Sequence, residues 1–135
     1  MQSFTEIEYN DLSHRVIEAC IEVHKELGPG LMESVYEICL ISVLKKKEIN
    51  VQKQVILPVY FKGEKLPKDF VIDLLIEDKI ILELKSVETI LPVHEAQLVT
   101  YLKLADKKLG LLINFNVPLL TQGVKRKING ILNSV

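Results

Sequence analysis

The sequence predicts an α/β fold of the α+β type: a mixed central sheet flanked by helices, in the order α-α-β-β-β-α-β. Three observations carry that prediction. Over the first 48 positions apolar residues recur at spacings of three and four, the period of a helix. From Val51 to Ser86 the chain is rich in β-branched and aromatic residues, interrupted by short charged turns. After Pro92 a helical stretch leads into Leu109–Phe115, an unbroken apolar run that fits a strand covered on both faces.

Each element has its own signals. Leu12, Val16, Cys20, Val23 and Leu27 form one helical face from Asp11 to Leu27, with Asp11 or Ser13 as N-cap. Gly28-Pro29-Gly30 stops that helix. A second helix from about Leu31 to Glu48 is apolar around most of its girth, which predicts a central position. Lys45, Lys46 and Lys47 complement its carbonyl end. Val51–Phe61 reads as a strand, and Pro58 within it demands an edge or a bulge. Lys62-Gly63-Glu64-Lys65 reads as a turn, Phe70–Ile76 as a second strand, Glu77-Asp78-Lys79 as a tight turn and Ile80–Ser86 as a third strand, together an antiparallel meander. Pro92 starts a helix running to about Lys107. The tail Val124–Leu132 is compatible with a strand or a helix.

Composition bounds the function. The 135 residues suit one domain spanning 1–135, large enough to bury roughly two-thirds of the unfolded surface without disulfides. The sequence is 48% hydrophobic and 26% charged, with 6 Gly and 5 Pro, which excludes disorder and low complexity. No apolar run approaches the ~20 residues of a membrane span, the polar start is unlike a signal peptide, and two cysteines suit a reducing compartment. A cytoplasmic protein without membrane partners is the expectation. The net charge of −1 argues against a general nucleic-acid coat, but the charge is graded along the chain. Residues 1–44 balance to −6 and residues 45–106 to zero, while 107–135 hold Lys107, Lys108, Lys125, Arg126 and Lys127 with no acid. That gradient reads either as ordinary solvated faces or as a basic lip beside an acidic pocket.

Charged residues inside the apolar strands are the chemical signal. Glu83 and Lys85 share one face of Ile81-Leu82-Glu83-Leu84-Lys85, and Asp73 interrupts Val71–Leu75. A buried unpaired charge costs several kcal/mol, so the alternatives are a buried ion pair, an exposed sheet face or a working site. Register discriminates between them. A two-residue turn at Asp78-Lys79 would put Asp73 and Glu83 on opposite faces, whereas a three-residue turn or a bulge would oppose them. In the next helix His94, Gln97 and Tyr101 form one stripe at i, i+3 and i+7.

Asp73, Glu83-Leu84-Lys85 and Gln97-x-x-x-Tyr101, in this order of elements, resemble the PD-(D/E)xK nuclease superfamily, especially its RecB-like members. Gly30-Leu31-Met32-Glu33-Ser34-Val35-Tyr36 resembles the pattern that names the GxxExxY family within it. The likeness spans roughly Asp11 to Asn129, and departs from a literal Pro-Asp in having Ile72 before Asp73.

The resemblance implies a restriction-endonuclease-like core and a metal-dependent nuclease acting on DNA or RNA. Asp73 and Glu83 would bind Mg²⁺ or Mn²⁺ with the Leu84 carbonyl and waters, and Glu33 would add a third carboxylate or merely complement its helix dipole. Lys85 would hold or help deprotonate the attacking water, and Gln97 would orient Lys85 or a phosphate oxygen. Tyr101 and His94 would contact phosphate or support those that do, and Tyr36 would pack beside the site. The competing reading is a binding or assembly module without turnover, homodimeric through the first helix or Leu119–Leu120, or part of a larger complex. His24 reads as a packed histidine and Cys20 and Cys39 as buried thiols. With no glycine-rich phosphate loop and no GxSxG element, a small-molecule role has no support. Binding to nucleic acid should be weak and salt-sensitive.

Overall fold

The computed structural model describes residues 4–132. Helix α1 spans Glu6–Leu27, starting five residues before the expected Asp11. The reason is a reciprocal cap the apolar periodicity does not reveal: Thr5 Oγ1 accepts the Glu8 N–H, and the Glu8 carboxylate accepts the Thr5 N–H. Helix α2 spans Glu33–Lys46 and is not central. Only Tyr36, Leu40 and Leu44 are fully buried, one side of the cylinder, while Met32, just before it, and Val35 and Ile38 stay exposed.

The chain then forms strands β1 (Val51–Phe61), β2 (Glu64–Ile76) and β3 (Ile80–Lys85), helix α3 (Pro92–Ala105) and strand β4 (Leu109–Asn114). A short 3₁₀ turn at Leu120–Gly123 leads into strand β5 (Val124–Ile128). The undecided tail is thus a strand over those five residues. β2 begins at Glu64, six residues before the expected Phe70, because Lys62 and Gly63 alone make the turn and both accept positive φ.

The sheet order is β1-β2-β3-β4-β5, with β3 and β4 parallel and the other neighbours antiparallel. The parallel pair needs the α3 crossover. This is the mixed sheet flanked by helices that the sequence predicted. Pro58 lies on the edge strand at a register shift between Pro58 and Tyr60, where its missing N–H leaves no ladder bond unmade.

Two apolar layers sandwich the sheet. Leu74, Ile76, Leu82, Leu84, Leu111 and Ile113 pack with α1 and α2 on one face. On the other, Ile72, Leu75, Ile81 and Leu112 pack with Leu98, Tyr101 and Leu102 of α3. All six residues of β4 are buried, as its unbroken apolar run requires. The Lys62 and Lys65 end of the β1–β2 hairpin lies outside both layers.

Candidate functional site

The turn Glu77-Asp78-Lys79 has three residues, between the paired Ile76 and Ile80. Glu77 and Asp78 hold it with left-handed backbones, and the Lys79 N–H donates to the Ile76 carbonyl at 2.8 Å. Continued from Leu74↔Leu82, that register sets Asp73 opposite Glu83. The backbone pairing stops there. The Asp73 N–H donates to Glu83 Oε2 at 2.8 Å, and the Leu84 N–H donates to Asp73 Oδ2 at 2.8 Å. Side-chain carboxylates thus replace carbonyls as acceptors, and the two strands part around them.

An irregularity on the other side of β2 assists. Residues two apart on a strand should share a face, yet Ile72 packs with α3 and Leu74 with α1 and α2. The alternation breaks at Asp73, and its opposite number on β1, Gln54, has φ 50°. The register is the same on both sides of this point, so the left-handed residue twists the backbone locally and re-aims a side chain without adding a residue.

The carboxylates are electrostatically strained. Burial pushes Glu83 up to about 8, and the nearby Asp73 charge adds to it; its hydrogen bond from Asp73 N–H and the Lys85 charge oppose the shift only in part. Burial likewise raises Asp73, against the Leu84 hydrogen bond, with Glu37 and Glu33 adding negative charge. Tyr101 is raised by burial and by the charges of Glu83 and Asp73, which places the phenol within their field.

Glu33 opens α2 and accepts the Ser86 N–H at 3.4 Å, just past the end of β3. Ser86 Oγ donates to the Leu31 carbonyl at 2.6 Å, tying the start of α2 to β3. A cleft of about 560 Å³ lies there, lined by Gly30–Ser34, Ser86 and Asn116. Glu37 is a neighbour that sequence reasoning missed. It stands one turn beyond Glu33, the i, i+4 spacing that could have revealed it, and accepts from Gln54 Nε2 at 3.1 Å.

The remaining candidates divide. Lys85 is half-buried beside the pair, its charge acting on both carboxylates. Gln97 is exposed on α3, one turn before the buried Tyr101. His94 is occupied in capping α3, its Nδ1 accepting the Leu91 N–H at 3.0 Å. Tyr36 is fully buried and stacked on Phe115; its hydroxyl donates to the Gly28 carbonyl at 2.6 Å and accepts the Leu31 N–H at 3.1 Å. It fastens the Gly28–Leu31 loop. His24 is packed as expected, with Nε2 2.9 Å from the Val117 carbonyl, so that nitrogen carries the proton. Cys20 is buried, its thiol pushed up to about 12 by desolvation, while Cys39 is only half-buried. Leu120 belongs to the core, leaving only Leu119 of that pair on the surface.

Among the described residues no three His, Cys, Asp or Glu side chains close into a metal cage. The donor chemistry nevertheless fits a hard divalent cation. Asp73 Oδ1 and Glu83 Oε1 accept no hydrogen bond from the described residues, and a 2+ charge would offset the burial and the Asp73 repulsion that raise Glu83. Among the described residues no helix is long and apolar enough to cross a membrane.

Residues 10–127 match the sequence model of the PD-(D/E)XK nuclease superfamily. No curated protein and no solved structure gives a significant match.

Proposed function

Because this chain belongs to the PD-(D/E)XK nuclease superfamily, we propose that it is a metal-dependent nuclease hydrolysing phosphodiester bonds in DNA or RNA, with residues 1–135 acting as one nuclease-like domain. The observation that carries this reading is the carboxylate pair at the β2–β3 parting, with Lys85 beside it and Tyr101 in its field. Within the superfamily we assign it to the GxxExxY group with a QxxxY motif, on Gly30–Tyr36 and Gln97–Tyr101.

Asp73 and Glu83 are the residues to hold Mg²⁺ or Mn²⁺, with Glu33 as a third carboxylate and Glu37 adding negative potential. When bound, the ion supplies Lewis-acid polarisation of the phosphodiester and a more acidic water. Lys85 orients that water and offsets charge developing on phosphorus. Gln97 and Tyr101 face the phosphate from α3. His94 and Tyr36 act at one remove, by capping α3 and by fixing the loop before α2.

The test is cleavage of single- and double-stranded DNA and RNA with Mg²⁺ or Mn²⁺. Lys85→Ala should lower kcat by about 10²–10⁴-fold if the lysine assists proton transfer. Glu83→Gln should abolish turnover. Equal activity in both variants, or no cleavage by the wild type, would leave the assembly-module reading in its place.

A further inference from the structure

The β1–β2 hairpin outruns the rest of the sheet. β3 pairs with β2 only over Leu74–Ile76, so strand residues from Val55 and Ile72 outward pair only with each other. The arm's root is fixed against α3: Val55, Leu57 and Phe70 pack on that cluster, and the Phe70 ring lies 5.4 Å from the Tyr101 ring. Its tip carries Tyr60 and Phe61, 60% and 62% exposed, beside the Lys62-Gly63 turn. The Lys62 ammonium sits 5.5 Å from the Phe61 ring centre, and Lys65 pairs across the arm with Tyr60.

The positive charges of the arm differ from those of the C-terminal stretch. There, Lys107 binds Asp78 at 3.1 Å, Lys127 binds Glu95 at 2.7 Å and Arg126 binds Asn10 at 2.6 Å. Those cations are largely occupied by the protein itself. By contrast, Lys62, Lys65 and Lys68 enter no ion pair among the described residues. Exposed rings interleaved with ammonium groups that no carboxylate neutralises match unpaired bases, which stack, joined by phosphates, which need cations.

We propose that the arm's tip grips single-stranded nucleic acid that wraps around it, one base stacking on Phe61 and another on Tyr60 across the opposite face, with Lys62 and Lys65 on the phosphates. The strand then runs past Phe70 and Tyr101 to the carboxylate pair. The eight residue steps from Lys65 to Asp73 span about 26 Å at the rise of a strand, so the grip acts at a distance from the proposed cleavage site. A duplex hides its base faces, which is why the rings select single strands. The grip rests on the nuclease reading only for its role in cleavage; binding can be measured without it.

The experiment compares wild type, Tyr60→Ala/Phe61→Ala and Lys62→Glu/Lys65→Glu, all altered on the exposed tip. Binding to a labelled oligonucleotide, single-stranded and duplex, is read by fluorescence anisotropy in EDTA. Hydrolysis of the same strand and of bis(4-nitrophenyl) phosphate is read with Mn²⁺. The ring variant should bind single strands about tenfold or more weakly, since stacking is worth ~1–3 kcal/mol per base. The lysine variant should also flatten the salt dependence, by about 0.7 in the log–log slope for each phosphate it no longer neutralises. Both should raise KM for the strand and leave the small diester unaffected. Unchanged binding in the ring variant, or tighter wild-type binding to duplex than to single strand, overturns the proposal. So does an arm-dependent change of oligomeric state by light scattering, which would make a second copy the occupant. Hydrolysis of neither substrate by the wild type defeats the nuclease reading alone, since the binding comparison still decides the arm.

Discussion

Asp73 and Glu83 hold the parting of β2 and β3 through each other's strands: Glu83 accepts the N–H of Asp73, and Asp73 accepts the N–H of Leu84, both at 2.8 Å. Each carboxylate satisfies a backbone donor that the interrupted ladder would leave unpaired, so the pair of the proposed site also has a structural task. Its cost is two acids in one half-buried place. That cost makes stability depend on pH and on cations.

In the unfolded chain Glu83 titrates near its ordinary value, about 4.3, and in the fold near 8. Between those limits the folded state binds the extra proton. Its contribution to stability is therefore complete below about pH 4 and is lost as pH rises through 8. Metal-free protein should melt several degrees lower at about pH 8.5 than at about pH 5.5, and Glu83→Gln should remove most of that difference. A pH-independent Tm in the wild type would refute the strained pair.

The same buried negative charge predicts a cation response. In EDTA-treated protein at about pH 8, added Mn²⁺ or Mg²⁺ should raise Tm, by the equivalent of about 2.7 kcal/mol at a hundredfold excess over Kd. The rise should vanish in Asp73→Asn. Glu33→Gln and Glu37→Gln should each weaken calorimetric binding, because both charges act on Asp73, Glu37 the more strongly of the two. Full affinity in Asp73→Asn would place the cation elsewhere.

The cap at Thr5 and the site at Asp73 differed in how far the sequence disclosed them. Periodicity found the helices, and the unbroken Leu109–Phe115 run found the buried strand, because burial leaves a compositional trace. The start of α1 was hidden because a cap depends on two polar residues, Thr5 and Glu8, rather than on apolar spacing. The exposure of α2 was hidden too, since Val35 and Ile38 look the same in sequence whether covered or bare. Asp73 and Glu83 stood out as acids within apolar strands, but their meeting hung on one residue of turn length. Glu37 could be placed one turn beyond Glu33 from its spacing, but its effect on Asp73 depends on how α2 packs against the sheet.

Tyr36 offers a test of the loop before α2. Its hydroxyl spans Gly28 and Leu31, and the ring lies flat on Phe115 with centroids 4.3 Å apart. Tyr36→Phe keeps the stacking and removes both hydrogen bonds. Stability should fall by about 1–3 kcal/mol in chemical denaturation, with the m-value unchanged. Because that loop leads directly to Glu33, metal affinity should fall as well. A variant as stable as wild type would show that water replaces the hydroxyl without loss.

Two glycines separate backbone from side-chain crowding. At Gly123 an added Cβ would run into the carbonyl oxygen of Asn114, a backbone atom at the end of the buried β4. Backbone there has no room to yield, since Asn114 also clasps Val87 through both of its amide atoms. Gly123→Ala should therefore cost about 3 kcal/mol or more. At Gly110 the Cβ would meet Leu98 Cδ1 at 2.8 Å, the far end of a flexible side chain on α3. Leu98 Cγ would still lie 3.1 Å away, so α3, which carries Gln97 and Tyr101, must give slightly as well. Gly110→Ala should cost little more than about 1 kcal/mol yet lower kcat tenfold or more, because small misplacements of positioning groups are amplified in the rate. The reverse order, a tolerant Gly123 and an inert Gly110, would mean that α3 is positioned independently of the strand beneath it.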